Sequence, residues 1–254
     1  MVNNKVVQKL KSGKPALGVL SPTTDPVICE YIGLSGFDFY MIDGEHGAIT
    51  LSEVATLVRA CECVDMPAWA RIRAIDEKLI LQFLDTGISG VMMPSVKSVD
   101  DVHRLVAATK YPPIGHRGLG PVRAADYMMG ALSQEAYIAH ANEHILILPQ
   151  IEDMACVAAL DEMLQIEGVD GFIIGPRDLA MSMGFYDGPA HPQVKQVIDE
   201  IIQKVVVSGK LIGTVAASAD QANALIDQGV HIILNSVQGL LMQASKGFLS
   251  GIKH

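Results

Sequence analysis

Short apolar runs alternate with longer amphipathic stretches along this chain. The runs are Ala16–Leu20, Phe37–Ile42, Ala68–Ile72, Gly90–Pro94, Ile145–Gln150, Gly171–Ile174, Leu211–Val215 and His231–Leu234. Each is bounded by Gly, Pro, Asp or Ser, the pattern of strands covered on both faces. Helical spacing fills the intervals, and polar caps mark where helices begin. Leu51–Cys63 follows Thr50, Glu77–Leu84 follows Asp76, Val99–Ala108 follows Ser98, and Gln221–Gln228 follows Ser218 or Asp220. Gly87 and Gly229 stand where helix stops are wanted. Eight strand–helix units in 254 residues give about 32 residues per unit, which predicts an α/β (β/α)8 TIM barrel as a single domain over 1–254. A doubly wound open sheet would show fewer strands and a glycine-rich turn after the first. Ser21-Pro22-Thr23-Thr24-Asp25 stands there instead. The rhythm breaks once. Between Lys110 and Glu143 there is no strand, and the Pro-, Gly- and Arg-rich text predicts a loop excursion over about 111–132, then a helix near Ser133–His140.

Composition narrows the class. The chain is 50% hydrophobic and 19% charged, too apolar for disorder, yet no apolar run approaches the roughly 18–20 residues that span a bilayer. A net charge of −9 argues against nucleic acid or an anionic membrane as the main partner. The opening MVNNKVVQKLKSGKP lacks the apolar core of a signal peptide. Four scattered cysteines do not make a disulfide scaffold, and Cys61-Glu-Cys63 lacks the second ligand pair of a zinc site. A soluble, cytoplasmic, core-rich domain is expected.

In a barrel, chemistry gathers at the C-terminal ends of the strands. The second run ends in Asp43-Gly44-Glu45-His46, the third carries Arg71 and Arg73, the fifth ends in Gln150-Ile151-Glu152-Asp153, and the sixth in Gly175-Pro176-Arg177-Asp178. The seventh and eighth end blandly, in Ala216-Ala217-Ser218 and Asn235-Ser236. Two carboxylates with neutral oxygens and water suit a hard cation such as Mg2+ or Mn2+. His46 beside them is either a base or a plain loop histidine, and Arg71 could hold an oxyanion. Asp153 reads as a helix cap, and Asp178 is either a cap or a ligand. Arg71 and Arg73 share strand parity, so one of them can reach the site while the other serves the rim.

With these residues in view, the chain resembles the HpcH/HpaI family of class II (metal-dependent) pyruvate aldolases over nearly its whole length. The blocks are FDFYMIDGEHG, the stretch from Arg71 through LDTGISGVMMPSV, KYPPIGHRGLG, ILILPQIED and GVDGFIIGPRDLAMSMG. The resemblance implies a (β/α)8 barrel that cleaves a 4-hydroxy-2-oxo acid to pyruvate and an aldehyde through a pyruvate enolate held at a divalent metal, Mg2+ or Mn2+ with Co2+ a further option. It places the metal on Glu152 and Asp178. Gln150 and Arg71 would hold the keto acid, with its carboxylate in the Gly175-Pro176 turn at the backbone N–H groups around Arg177 and Asp178. It assigns acid–base work to His46, supported by Asp43 and Asp85, and needs no Schiff-base lysine. It also implies a homo-hexamer whose last helix packs on a neighbouring subunit. Leu20, Pro121, Val122 and Arg177 depart from residues common in the family and bear on the acceptor aldehyde. Arg117 and Arg123 are candidates to read an acidic acceptor or to form interface salt bridges. A related lyase or decarboxylase acting on oxaloacetate or an acyl-CoA, and a non-catalytic keto-acid-binding barrel, are the alternatives.

Overall fold

A computed structural model describes residues 5–252. Its eight parallel strands close into one barrel in sequence order: β1 Ala16–Ser21, β2 Phe39–Asp43, β3 Ala68–Arg71, β4 Gly90–Met93, β5 Leu146–Ile151, β6 Gly171–Ile174, β7 Leu211–Val215 and β8 Ile232–Ser236. The predicted barrel is therefore the observed one, with strand ends shifted by at most two residues. Helices α1 Lys5–Lys11, α2 Pro26–Leu34, α3 Leu51–Cys63, α4 Glu77–Asp85, α5 Val99–Thr109, α6 Gln134–His144, α7 Met154–Met163, α8 Pro176–Ser182, α9 Pro192–Val207, α10 Ala219–Asp227 and α11 Val237–Ser250 surround it. Among the described residues no helix is long and apolar enough to cross a membrane.

The caps act as their chemistry requires. The Thr50 and Ser98 hydroxyls accept from the N–H groups of Glu53 and Asp101, whose carboxylates return the bond to the cap backbone. Asp76, Asp153 and Ser218 cap α4, α7 and α10. Asp153 is thus the cap it was expected to be. Asp178 is not a cap: Gly175 holds that position, and Asp178 lies in the first turn of α8.

Strand side chains alternate between two cores. Outward residues pack under the helices in one large cluster. Inward residues, among them Phe39, Met41, Trp69, Met92, Leu146, Leu148, Ile173, Ile232 and Leu234, fill the barrel, with Val6, Val7 and Leu10 of α1 in the same cluster. The Phe39 and Trp69 rings stack at 3.9 Å. Glycine makes room for them: a Cβ at Gly18 would lie 2.1 Å from Phe39, and one at Gly90 would lie 2.6 Å from Trp69. Everything that follows a strand lies at the barrel mouth, and everything that follows a helix lies at the opposite end. The 111–132 excursion, which includes a 3-10 helix at Arg123–Met128, follows α5 and therefore belongs to the end away from the mouth.

Candidate active site

Continuing the inward alternation past the Phe39 and Trp69 layer brings Asp43 of β2 and Arg71 of β3 into the mouth as register partners. Their side chains form a bidentate pair: Arg71 Nε donates to Asp43 Oδ1 at 2.9 Å and Nη2 to Oδ2 at 2.7 Å. The remaining nitrogen, Nη1, lies 3.1 Å from Glu45 Oε2. Asp43 also accepts from the N–H groups of Glu45 and His46, which fixes the turn that carries both. Burial works to raise the Asp43 carboxyl, but Arg71 and these N–H groups outweigh it and hold it below the usual carboxylate range. His46 is exposed, with Nε2 3.9 Å from Glu45 Oε2.

Across the mouth, Glu152 follows β5 and is buried. Its Oε1 accepts from the Ser95 N–H at 2.6 Å, and its Oε2 accepts from the Gln150 amide. Burial, then the negative charges of Glu45 and Asp178, push its carboxyl up, against the Ser95 N–H and the Arg71 charge. A cation would relieve that repulsion. The other amide atom, Gln150 Oε1, is buried without a hydrogen-bond partner, so an unspent acceptor sits beside an unneutralised carboxylate. Gly175 closes this side: a Cβ there would stand 2.5 Å from Gln150 Nε2 and 2.9 Å from Glu152 Oε2. Among the described residues no three His, Cys, Asp or Glu side chains converge on one metal position. Two carboxylates suffice for a hard cation that takes its other ligands from substrate and water, and this donor set fits one.

The predicted residues do not all meet. Asp43, Arg71, Gln150 and Glu152 interact directly or share the mouth, with Gly175, Pro176, Arg177 and Asp178 at its β6 side and His46 on the turn after β2. Asp85 is elsewhere. It ends α4, about 13 Å of helix rise from the mouth end, and accepts from Arg117 Nη2 at 3.0 Å. Arg117 is buried over the Tyr111 ring, and Arg123 pairs with Glu62 and donates to Thr86 O. Neither arginine faces this mouth. The buried Lys110 is likewise at the far end, bonded to the carbonyls of Asn142 and Ile145. A cavity of about 510 Å3 also lies at that end, between Arg59, Asp65, Ser89 and Arg123. Two contributors were missed from the sequence. Glu45 stands in the sequence only as one of three ionisable residues after the second run, and Ser95, at φ 57°, contributes a backbone N–H that no side-chain pattern announces.

Residues 17–244 match the sequence pattern of the HpcH/HpaI aldolase/citrate lyase family. The chain belongs to that family. A 2-keto-3-deoxy-L-rhamnonate aldolase from Escherichia coli O17:K52:H18 is 31% identical over 241 residues, covering 95% of this chain and 90% of its own. Among solved structures, the HpcH/HpaI aldolase from Desulfitobacterium hafniense DCB-2 superposes with a TM-score of 0.88 at 28% identity, covering 96% of this chain and 95% of its own. The citrate synthase SbnG superposes at 0.85 with 29% identity, covering 96% and 95%. HpcH/HpaI membership places the protein among aldolases and lyases and leaves its substrate to be argued from the mouth.

Proposed function

We propose that this HpcH/HpaI protein is a metal-dependent aldolase that cleaves a 4-hydroxy-2-oxo acid to pyruvate and an aldehyde. The observation that carries the reading is one barrel mouth that holds a buried, bidentate Asp43–Arg71 pair opposite a buried Glu152 with an unpartnered Gln150 oxygen beside it. Glu152 and Asp178 would hold Mg2+ or Mn2+, which when bound supplies Lewis-acid polarisation of the keto oxygen. Arg71 is locked flat by Asp43 and offers a fixed guanidinium to the oxygen that gains charge. Gln150 orients the keto acid, and the N–H groups of Arg177 and Asp178 receive its carboxylate. His46, exposed beside Glu45, takes the C4 hydroxyl proton through water. The C3–C4 bond then breaks, the aldehyde leaves, and the electron pair passes to C3 and the keto oxygen as an enolate. Protonation at C3 gives pyruvate. No lysine among the residues placed at the mouth is needed for a Schiff base.

The expected homo-hexamer belongs to the same proposal. Helix α11 has no buried residue and exposes Leu241, Met242, Phe248 and Leu249, an apolar face suited to a neighbouring copy. Asp85, at the far end of its own barrel, can support His46 only from a second copy. The SbnG structure, described as a citrate synthase, favours a second reading, a related lyase whose enolate comes from an acyl-CoA or from oxaloacetate instead.

The test is proton NMR of pyruvate in D2O with the protein, with and without Mg2+ or Mn2+. Metal-dependent loss of the methyl signal, abolished by chelator, is expected. Absence of exchange with either metal would refute the enolate reading, and borohydride trapping of pyruvate on a lysine would replace it with a Schiff base.

A further inference from the structure

We infer that Cys29 and Cys61 are a disulfide-forming pair, closed by a small-molecule disulfide such as oxidised glutathione, and that the bond clamps α2 to α3 around the segment that carries β2.

The packing of the two helices brings the thiols together. On α2, Cys29 and Gly33 lie four residues apart on one face, and on α3 Cys61 and the C-cap residue Val64 lie three apart. Gly33 meets Val64 so closely that a Cβ there would stand 2.5 Å from Val64 Cγ2. Helices that touch through a glycine sit at the short end of the usual interaxial distance of about 8–10 Å. Facing Cα atoms are then about 3.5–5.5 Å apart, since each lies about 2.3 Å from its axis, and disulfides need about 4.4–6.8 Å. Both cysteines are fully buried in the cluster outside the barrel, and their thiols hydrogen-bond to each other. The Tyr40 hydroxyl, on the outward side of β2, is a second partner of Cys29. These two hydrogen bonds outweigh burial and hold the Cys29 thiol below its ordinary value, while the Cys61 thiol is pushed up. Cys29 is therefore the attacking sulfur.

Access comes from α2 itself. It is nine residues long, Cys29 is its one buried residue, and Val27, Tyr31 and Leu34 are exposed. A short helix anchored by one side chain opens locally at low cost. In the opened state the Cys29 thiolate attacks oxidised glutathione, forming a mixed disulfide and expelling one glutathione thiolate. Cys61 gives its proton to that thiolate and attacks the Cys29 sulfur, which releases the second glutathione. Two protein thiols are oxidised and one glutathione disulfide is reduced. The bond closes a loop of about 33 residues that includes Asp43, Glu45 and His46, and it removes the opening that admitted the oxidant.

The experiment treats folded Cys63→Ser protein, which lacks the one exposed thiol, with oxidised glutathione in the absence of denaturant. Free thiols counted after unfolding should fall from three to one, and peptide mapping should find Cys29 joined to Cys61. Tm should rise by about 4–8 °C, hydrogen exchange of the α2 amides should slow, and dithiothreitol should reverse both. Cys61→Ser in the same background should stop at a glutathione adduct on Cys29, with no rise in Tm. Thiols that react only after global unfolding would overturn the pair, as would a mixed disulfide that never closes in the Cys63→Ser protein or a bond that leaves Tm unchanged.

Discussion

Replacing Arg71 by Lys preserves the charge and removes the fork, so it isolates what the geometry contributes. The guanidinium makes three contacts, two to Asp43 at 2.9 and 2.7 Å and one to Glu45 at 3.1 Å, while almost wholly buried. A single ammonium cannot reproduce a planar bidentate pair. Losing one charge-assisted bond to Asp43 costs about 1.5–3 kcal/mol, which in a domain of this size lowers Tm by about 3–6 °C. Chemistry should suffer more. A misplaced donor at a developing oxyanion costs about 100- to 1000-fold in rate. The assay is methyl-proton exchange of pyruvate at saturating metal, with thermal unfolding on the same sample. A folded Lys variant that exchanges within about threefold of the wild type would show that Arg71 only braces the mouth, and the oxyanion role would be withdrawn.

Gly175→Ala drives a Cβ into Gln150 Nε2 and Glu152 Oε2, so metal affinity measured by calorimetry should fall at least about tenfold, the scale of a displaced ligand shell; unchanged affinity would remove Glu152 from the ligand set. Asp43 has a folded-state pKa below its unfolded value, so its stabilisation is fully present above the unfolded pKa and is lost as pH falls through the folded one. Asp43→Asn should therefore cost about 3–5 kcal/mol near neutrality and progressively less in denaturant melts below about pH 4, and a pH-independent difference would contradict the ion pair. His46→Ala and Asp85→Ala proteins should each be nearly inactive, yet regain up to about a quarter of wild-type activity when co-refolded, the share of sites that random pairing makes whole. No recovery from verified mixed oligomers would end the two-copy role of Asp85.

The barrel was legible because strands covered on both faces must be apolar throughout, and because Thr50, Asp76 and Ser98 announce helix starts through hydrogen bonds that their side chains alone can make. The pairing inside the site was less legible. Once a strand ends, alternation no longer says which way a side chain points, so Asp43-Gly44-Glu45-His46 supplied three ionisable groups without showing that Arg71 takes two of them. Ser95 contributes only its N–H, and any non-proline residue in that backbone conformation would offer the same donor.

Asp85, Arg117 and Arg123 illustrate a different limit. Motif resemblance says that a residue belongs to a kind of site, but not which copy of the chain supplies it. Connectivity was the missing constraint. In a barrel of alternating strand and helix, a residue that closes a helix lies at the far end, as Asp85 does, whatever its motif suggests. The same rule gives meaning to the blandness of the seventh and eighth strand ends. They follow strands and lie at the mouth end, where Ser218 and Ser236 serve as the caps of α10 and α11.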